Sequence, residues 1–378
     1  MQFTLLLGSR PKVYTLYDRD LDIRLVLGYN LAIMWKPNYH ISHKILQSIR
    51  EIGEVLGGIK ASFISERNYT TLKYVAKELS VFASTSIEGN PLVLTDVKRI
   101  LKNKPTHLRD TEKEIINYNK ALEYAYTKVR NNSFVLSLEE FQKIQSIVVD
   151  NLMEDQDDIG YIRKKPVIIR DPRYIDRIIF IPPNAEDVKA LTESLCKFVN
   201  VSKGSVDPII LAGLFHRQSV IIHPFMDGNG RTTRIITTAL LGITGIDIFE
   251  IFSFENYYNQ NVSNYFRHVG LQGDYYDYKE SPDFTEWLEY FVDGILYELK
   301  RVQKNISSSK HSIRIPEHYD IVLNYIKEHG NISQKEYARI SSRSLASRKK
   351  DFIKMLELGL IELKEGGRSR YYILKQEN

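Results

Sequence analysis

The sequence predicts a mainly α-helical fold, with one β-hairpin set among the helices and a small helix-and-hairpin domain at the carboxy end. Three observations carry this. Apolar residues recur at helical spacing through most of the chain. One internal stretch, residues 166–183 ("PVIIRDPRYIDRIIFIPP"), has instead two β-branched runs around a polar centre. Beyond a polar, serine-rich segment, the residues from 317 onward read as helix, helix, helix and hairpin.

The elements follow in order. Residues 1–40 alternate β-branched and aromatic with polar residues, which suggests a short strand pair or an extended arm. Residues 41–63 have helical spacing with Ser42 as N-cap, and a second helix runs to Ile87, where "EGNP" stops it. Further helices are expected over 94–101, 110–129, 137–152, 185–199, 208–222, 231–241, 257–270 and 284–302. Asp207 and Pro208 mark the start of the 208–222 helix as N-cap and first residue. Residues 301–316, "RVQKNISSSKHSIRIP", read as a linker, and 317–378 as a winged helix-turn-helix domain with a Gly-Gly hairpin.

Composition narrows the class. With 378 residues, two or three domains are expected, and 43% apolar against 26% charged residues is the mix of a soluble globular protein. A single cysteine, Cys196, excludes an internal disulfide framework and a Cys-rich zinc site, which favours a reducing, cytoplasmic setting. No signal peptide or membrane span is expected. A net charge of +5 does not by itself argue for nucleic acid, although the carboxy region is richer in Lys and Arg.

The densest chemistry lies in "HPFMDGNGRTTR", His223 to Arg234, a loop delivering the chain to a helix start. Free N–H groups and the helix dipole attract anions there, and Gly228 and Gly230 let backbone approach a phosphate. Arg231 and Arg234, one turn apart, add charge-assisted contacts. Asp227 is suited to a Mg²⁺ ion that bridges phosphate oxygens, and His223 to accepting a proton near neutral pH. Together these residues ask for a di- or triphosphate, a metal and a hydroxyl nucleophile.

The stretch resembles the signature of the Fic-domain family, His-x-Phe-x-(Asp/Glu)-Gly-Asn-Gly-Arg-x-x-Arg, without departure. That resemblance implies a helical Fic core that transfers AMP from ATP to a Ser, Thr or Tyr hydroxyl of a target protein, itself included, releasing pyrophosphate. It makes His223 the general base and Asp227 the ligand of Mg²⁺, with Mn²⁺ as a substitute. Gly228, Asn229 and Gly230 become the anion hole, Arg231 grips the phosphate chain, and Arg234 meets the γ-phosphate. "GYIRKKPVII" and "IFIPPNAEDV" resemble the lead-in and exit of the family's flap, which aligns a target segment by β-augmentation. "SFENYYNQNVSNYF" resembles the segment that closes over the adenine, with Asn261 matching the family's asparagine and Val262 standing where an arginine often follows.

"STSIEGN", residues 84–90, resembles the family's inhibitory motif, with Ser84 and Glu88 on one helix face. By that resemblance Glu88 pairs with Arg234 and blocks the γ-phosphate. Some family members use this glutamate to orient water for AMP removal. At the carboxy end Arg343, Arg348, Lys349, Lys350 and Lys354 face one acid, Asp351, on the expected recognition helix, and Arg368 and Arg370 sit at the wing. DNA is therefore a candidate partner, contacts with protein or with the core being the other reading. The organisation expected is 1–105, an N-terminal region with the inhibitory helix; 106–300, the catalytic core; 301–316, the linker; and 317–378, the winged helix. A DNA-binding regulator that uses the core as a nucleotide sensor is the alternative to the enzyme. No membrane is expected as partner; a homo-oligomer is compatible with the chain.

Overall fold

The computed structural model describes residues 3–5, 12–14, 34–62, 64, 66–103, 105, 107–171, 174–278, 282–312, 317–357, 360–366 and 369–375. Strands β1 (Phe3–Leu5) and β2 (Lys12–Tyr14) pair antiparallel, the strand pair expected near the amino end; the rest of residues 1–33 lies outside the described residues. Ser42 caps α1 (His43–Lys60), its Oγ accepting from the Ile45 N–H at 3.2 Å. The same hydroxyl donates to Glu289 of α11 (Thr285–Ser312) at 2.6 Å, so one cap also fastens two helices. Then come α2 (Glu66–Ile87), α3 (Leu94–Asn103), α4 (Asp110–Arg130) and α5 (Leu138–Val148). Gly89, at φ +94°, ends α2 in the left-handed region, as "EGNP" predicts.

Next, α6 (Ala185–Ser202), α7 (Pro208–Ile222) and α8 (Asn229–Ile243) build the centre. Asp207 caps α7 through N–H groups of Ile209 and Ile210 at 2.9 and 3.3 Å. Every residue of α7 from Ile209 to Ser219 is buried, so this helix runs through the core rather than over it. The expected helix over 257–270 is two helices, α9 (Phe254–Asn259) and α10 (Val262–Val269). Asn261 makes the break: its Oδ1 accepts from the Asn264 N–H at 3.0 Å, the competition with backbone that favours Asn at caps.

The expected hairpin is present as β3 (Ile169–Asp171) and β4 (Tyr174–Ile181), antiparallel, with Ile169 opposite Phe180. A short parallel strand, β5 (Gly273–Asp274), joins the far side of β4. The polar segment expected as a linker is helical instead through Ser312. Val302 and Ile306 stay buried while Lys304, Asn305 and Ser307 are exposed, so an amphipathic turn lies inside a polar composition. Residues 313–316 lie outside the described residues.

The carboxy-terminal elements are α12 (Glu317–His329), β6 (Ile332–Ser333), α13 (Gln334–Ile340), α14 (Leu345–Glu357), β7 (Ile361–Gly366) and β8 (Ser369–Leu374). The three strands form an antiparallel sheet in the order β6-β8-β7. Buried apolar side chains fall into two clusters, one reaching from Ile45 to Ile306 and one from Tyr319 to Ile361. Among the described residues no helix is long and apolar enough to cross a membrane.

Candidate active site

The loop between α7 and α8 carries the chemistry. His223 ends α7 in the left-handed conformation, φ 51° and ψ 63°, its N–H donating to Ser219 O at 3.0 Å. For a residue with a β-carbon this backbone is unfavourable, so surrounding bonds must hold it. Its Nδ1 donates to Val220 O at 3.3 Å, and a carbonyl can only accept, so the neutral ring leaves Nε2 free to take a proton. Burial pushes the imidazole down to about 4, against the Val220 bond and the charge of Glu88, which act upward. His223 is thus a neutral base above that pH.

Phe225 is buried against Phe141, ring centres 5.6 Å apart. Asn229 clamps it, the side-chain oxygen accepting from Phe225 N–H at 2.9 Å and the amide donating to Phe225 O at 2.8 Å. The asparagine side chain is therefore spent on the loop, and what it offers a ligand is backbone. Gly228 caps α8 at φ +80°, where a β-carbon would also lie 2.8 Å from Val149. Asn229, Gly230 and Arg231 form the first turn of α8, whose N–H groups no intrahelical carbonyl reaches.

A carboxylate sits on this turn. Glu88 lies one residue past α2, and a β-carbon at Gly230 would collide with its Oε1. That oxygen accepts from Arg234 Nη2 at 2.7 Å. Ser84 takes the remaining reach of the guanidinium, its Oγ accepting from Nε at 2.7 Å and its carbonyl from Nη2 at 2.9 Å. The Arg234 side chain is 1% exposed. Burial draws its pKa down, but the charge of Glu88 and the hydrogen bond to it outweigh that and hold it raised. Beneath it, Tyr265 lies 2.9 Å from His216 Nε2, and His216 Nδ1 lies 3.0 Å from Thr237. Thr237 donates to Thr233 O, so Nδ1 is the ring donor and Nε2 accepts from the tyrosine.

Arg231 faces the other way. Its Nη2 donates to both oxygens of Asp227, at 3.0 and 3.1 Å, and its Nη1 to Glu114 of α4 at 2.9 Å. The carbonyl of Asp227 accepts from Gln145 at 3.0 Å, and the other side of that buried amide accepts from Gly160 N–H at 2.7 Å. Among the described residues no three His, Cys, Asp or Glu gather as for a metal. Asp227, half exposed, fits the one-carboxylate kind of Mg²⁺ site that takes its other oxygens from a nucleotide and water.

Arg163 completes the framework. Buried at 1% exposed, it donates to carbonyls of His223 at 2.8 Å, Pro183 at 2.5 Å and Lys165 at 3.2 Å, while its own N–H donates to Pro224 O at 3.0 Å. It joins the two feet of the hairpin to the His223 loop. Its charge also helps to push the His223 pKa down.

The structure thus brings His223, Asp227, Gly228, Asn229, Gly230, Arg231, Arg234, Ser84 and Glu88 together. Asn261 is exposed at the start of α10, where it caps the helix. Sequence reasoning missed Glu114, Gln145 and Arg163. Gln145 carried a signal, a polar residue on the same helical face as Phe141, Ile144 and Val148; Arg163 stood inside the quoted flap lead-in; Glu114, beside Lys113 on a helix, carried none. The reading of Arg343 as a groove contact changes. It is spent on Asp351, buried at 3% exposed, through bonds of 2.7 and 3.0 Å, with Tyr337 donating to the same carboxylate at 2.9 Å. Lys349 and Lys350 remain exposed on α14, beside exposed Leu345 and Ile353.

Residues 135–241 match the model of the Fic/DOC family. The chain is similar to "Protein adenylyltransferase Fic" of Aedes aegypti, 27% identical over 48% of this chain and 35% of that one. It is likewise similar to "Protein adenylyltransferase fic-1" of Caenorhabditis elegans, 26% identical over 54% of this chain and 39% of that one. It therefore spans little more than a third of the length of these curated relatives. Among solved structures, a Fic family protein from Desulfovibrio desulfuricans aligns with TM-score 0.61 at 19% identity, covering 91% of this chain and 99% of that chain. Caenorhabditis elegans Fic-1 aligns with TM-score 0.54, also at 19% identity, over 70% of this chain and 73% of that chain. These likenesses show the fold, and the family match assigns residues 135–241 to a Fic/DOC domain.

Proposed function

We propose that this chain is a protein adenylyltransferase held at rest by its own N-terminal helix. The observation that carries the reading is the Glu88 carboxylate on the first turn of α8, bonded to Arg234. An anion site at a helix N-terminus suits phosphate, and here a carboxylate of the same chain fills it. In transfer, the target hydroxyl gives its proton to His223 Nε2 and its oxygen bonds the α-phosphorus of ATP. The bond from that phosphorus to the bridging oxygen breaks, and pyrophosphate leaves. The N–H groups of α8 bind the phosphates, Arg231 grips them, and Arg234 receives the γ-phosphate once Glu88 has withdrawn. Asp227 would hold a divalent cation, which when bound neutralises charge on the phosphate oxygens.

The hairpin β3-β4 acts in this reading as the flap on which a target segment is aligned, β3 being the edge of its sheet. In this reading Asn261, exposed at the start of α10, contacts the base. Residues 317–374 act as a winged helix-turn-helix module, supported by the order of their elements. Intact-mass measurement of Glu88→Gly after incubation with ATP and Mg²⁺ tests the activity. A gain of one AMP per acceptor is expected, a gain of phosphate would redirect the assignment to a kinase-type transfer, and no gain would refute it.

A further inference from the structure

Asn90 stands two residues beyond Glu88 and is 8% exposed. Its Nδ2 donates to Glu114 Oε2 at 2.6 Å and to Thr111 O at 2.9 Å, so the chain just past α2 orients a carboxylate of α4. The other oxygen of Glu114 accepts from Arg231 Nη1 at 2.9 Å, and Nη2 of the same guanidinium is shared between both oxygens of Asp227. The Arg231 side chain is 4% exposed, while that of Asp227 is 53% exposed. The buried cation thus has one carboxylate tethered at both oxygens and one standing in solvent.

We propose that Glu114 is a positioning residue, the standing counter-charge of Arg231 that lets Asp227 leave the guanidinium for a divalent cation, with Asn90 holding Glu114 to that task. The inference rests on the reading of Asp227 as metal ligand. A buried guanidinium stripped of every anionic partner is strongly disfavoured, because its desolvated charge is left uncompensated. Glu114 and Asp227 are the carboxylates paired with Arg231 among the described residues. With Glu114 present, Asp227 can turn outward and Arg231 keeps a partner; with its charge removed, the outward turn strands the cation. The carbonyl of Asp227 is fixed by Gln145, so the change is confined to its side chain. The end of α2 would then act on both arginines of the signature, on Arg234 directly through Glu88 and on Arg231 through Asn90 and Glu114.

The test is equilibrium binding, which needs no turnover. Mn²⁺ is titrated into the full chain with α,β-methylene-ATP in the Glu88→Gly background, and free Mn²⁺ is read by electron paramagnetic resonance. Glu114→Gln, which keeps shape and removes charge, is expected to weaken Mn²⁺ binding about tenfold, while Glu114→Asp stays within about threefold of the parent. Asn90→Ala, which only releases Glu114, should weaken it about two- to threefold and serves should Glu114→Gln fail to fold. Parent-like Mn²⁺ binding by folded Glu114→Gln, or by Asn90→Ala in its place, overturns the inference when Asp227→Asn is impaired. Parent-like binding by Asp227→Asn instead overturns the metal-ligand reading, and the inference falls with it.

Discussion

Replacing Glu88 by glycine removes the anion from the α8 amino end and leaves Arg234 with the two oxygens of Ser84 and the neighbouring Tyr265. The Arg234 side chain is 1% and that of Glu88 28% exposed, at a separation of 2.7 Å. Breaking a fully buried pair costs about 3–5 kcal/mol, but here the arginine keeps Ser84 and the glutamate was partly solvated, so about 1–2 kcal/mol is expected. That corresponds to a fall in Tm of a few degrees. The gain in activity is set by how strongly the carboxylate and the γ-phosphate exclude each other. A coupling of about 2–3 kcal/mol, usual for two sites competing for one cation, corresponds to about 30- to 150-fold. The assay is transfer of label from α-³²P-ATP to the protein itself, for wild type, Glu88→Gly and Glu88→Gln. Both variants should exceed wild type, Gln by less because it keeps the hydrogen bond without the charge. Equal and measurable labelling of wild type and a folded Glu88→Gly protein would refute the restraint while leaving the transfer chemistry standing.

Further predictions concern the scaffold. His223→Ala should abolish labelling in the Glu88→Gly background, and kcat/KM should be flat from neutral pH down to about 5, falling only as pH nears 4, because the neutral ring is the base. The same lowered pKa stabilises the fold above the unfolded histidine value, and that contribution is lost as pH falls from about 6.5 toward 4, measurable as Tm against pH. Gly228→Ala, forced to φ +80° and against Val149, should cost about 2–4 kcal/mol in urea unfolding. Arg163→Lys keeps the charge but loses the fork that reaches the carbonyls of His223, Lys165, Pro183 and Ile222. It should cost about 2–4 kcal/mol and lower kcat more than it raises KM for ATP. Unaltered kcat in Arg163→Lys would show that the hairpin and the loop need no such tie.

Much of the site is legible in the sequence because its parts are contiguous. A signature between two strongly patterned helices places His223, Asp227, Gly228, Gly230, Arg231 and Arg234 on one loop and the helix start that follows it. Glu88 was reached only through the resemblance, since a glutamate before a glycine cap is locally unremarkable. Glu114 and Arg163 were out of reach for a physical reason: the site residues they hold, Arg231 and His223, lie 117 and 60 residues away, and nothing in their neighbours marks them. The fold shows the same division. Ser42, Asp207 and Pro208 announce their helices locally. The break at Asn261 and the continuation of α11 past Arg301 depend on whether a cap or a buried Ile306 wins, which is settled by packing.

Arg163 has one more consequence. A guanidinium bonded only to main-chain carbonyls has no acid that could be protonated away from it, and it is sealed from salt. On the reading of the hairpin as a flap, it and the histidine loop would form a single gauge: a chain laid along the edge of β3 would meet Nε2 at a spacing set by Arg163, through bonds that involve no titrating partner. Regulation would then fall on the phosphates, through Glu88 and Arg234, while the acceptor is measured by a part tied to the histidine loop.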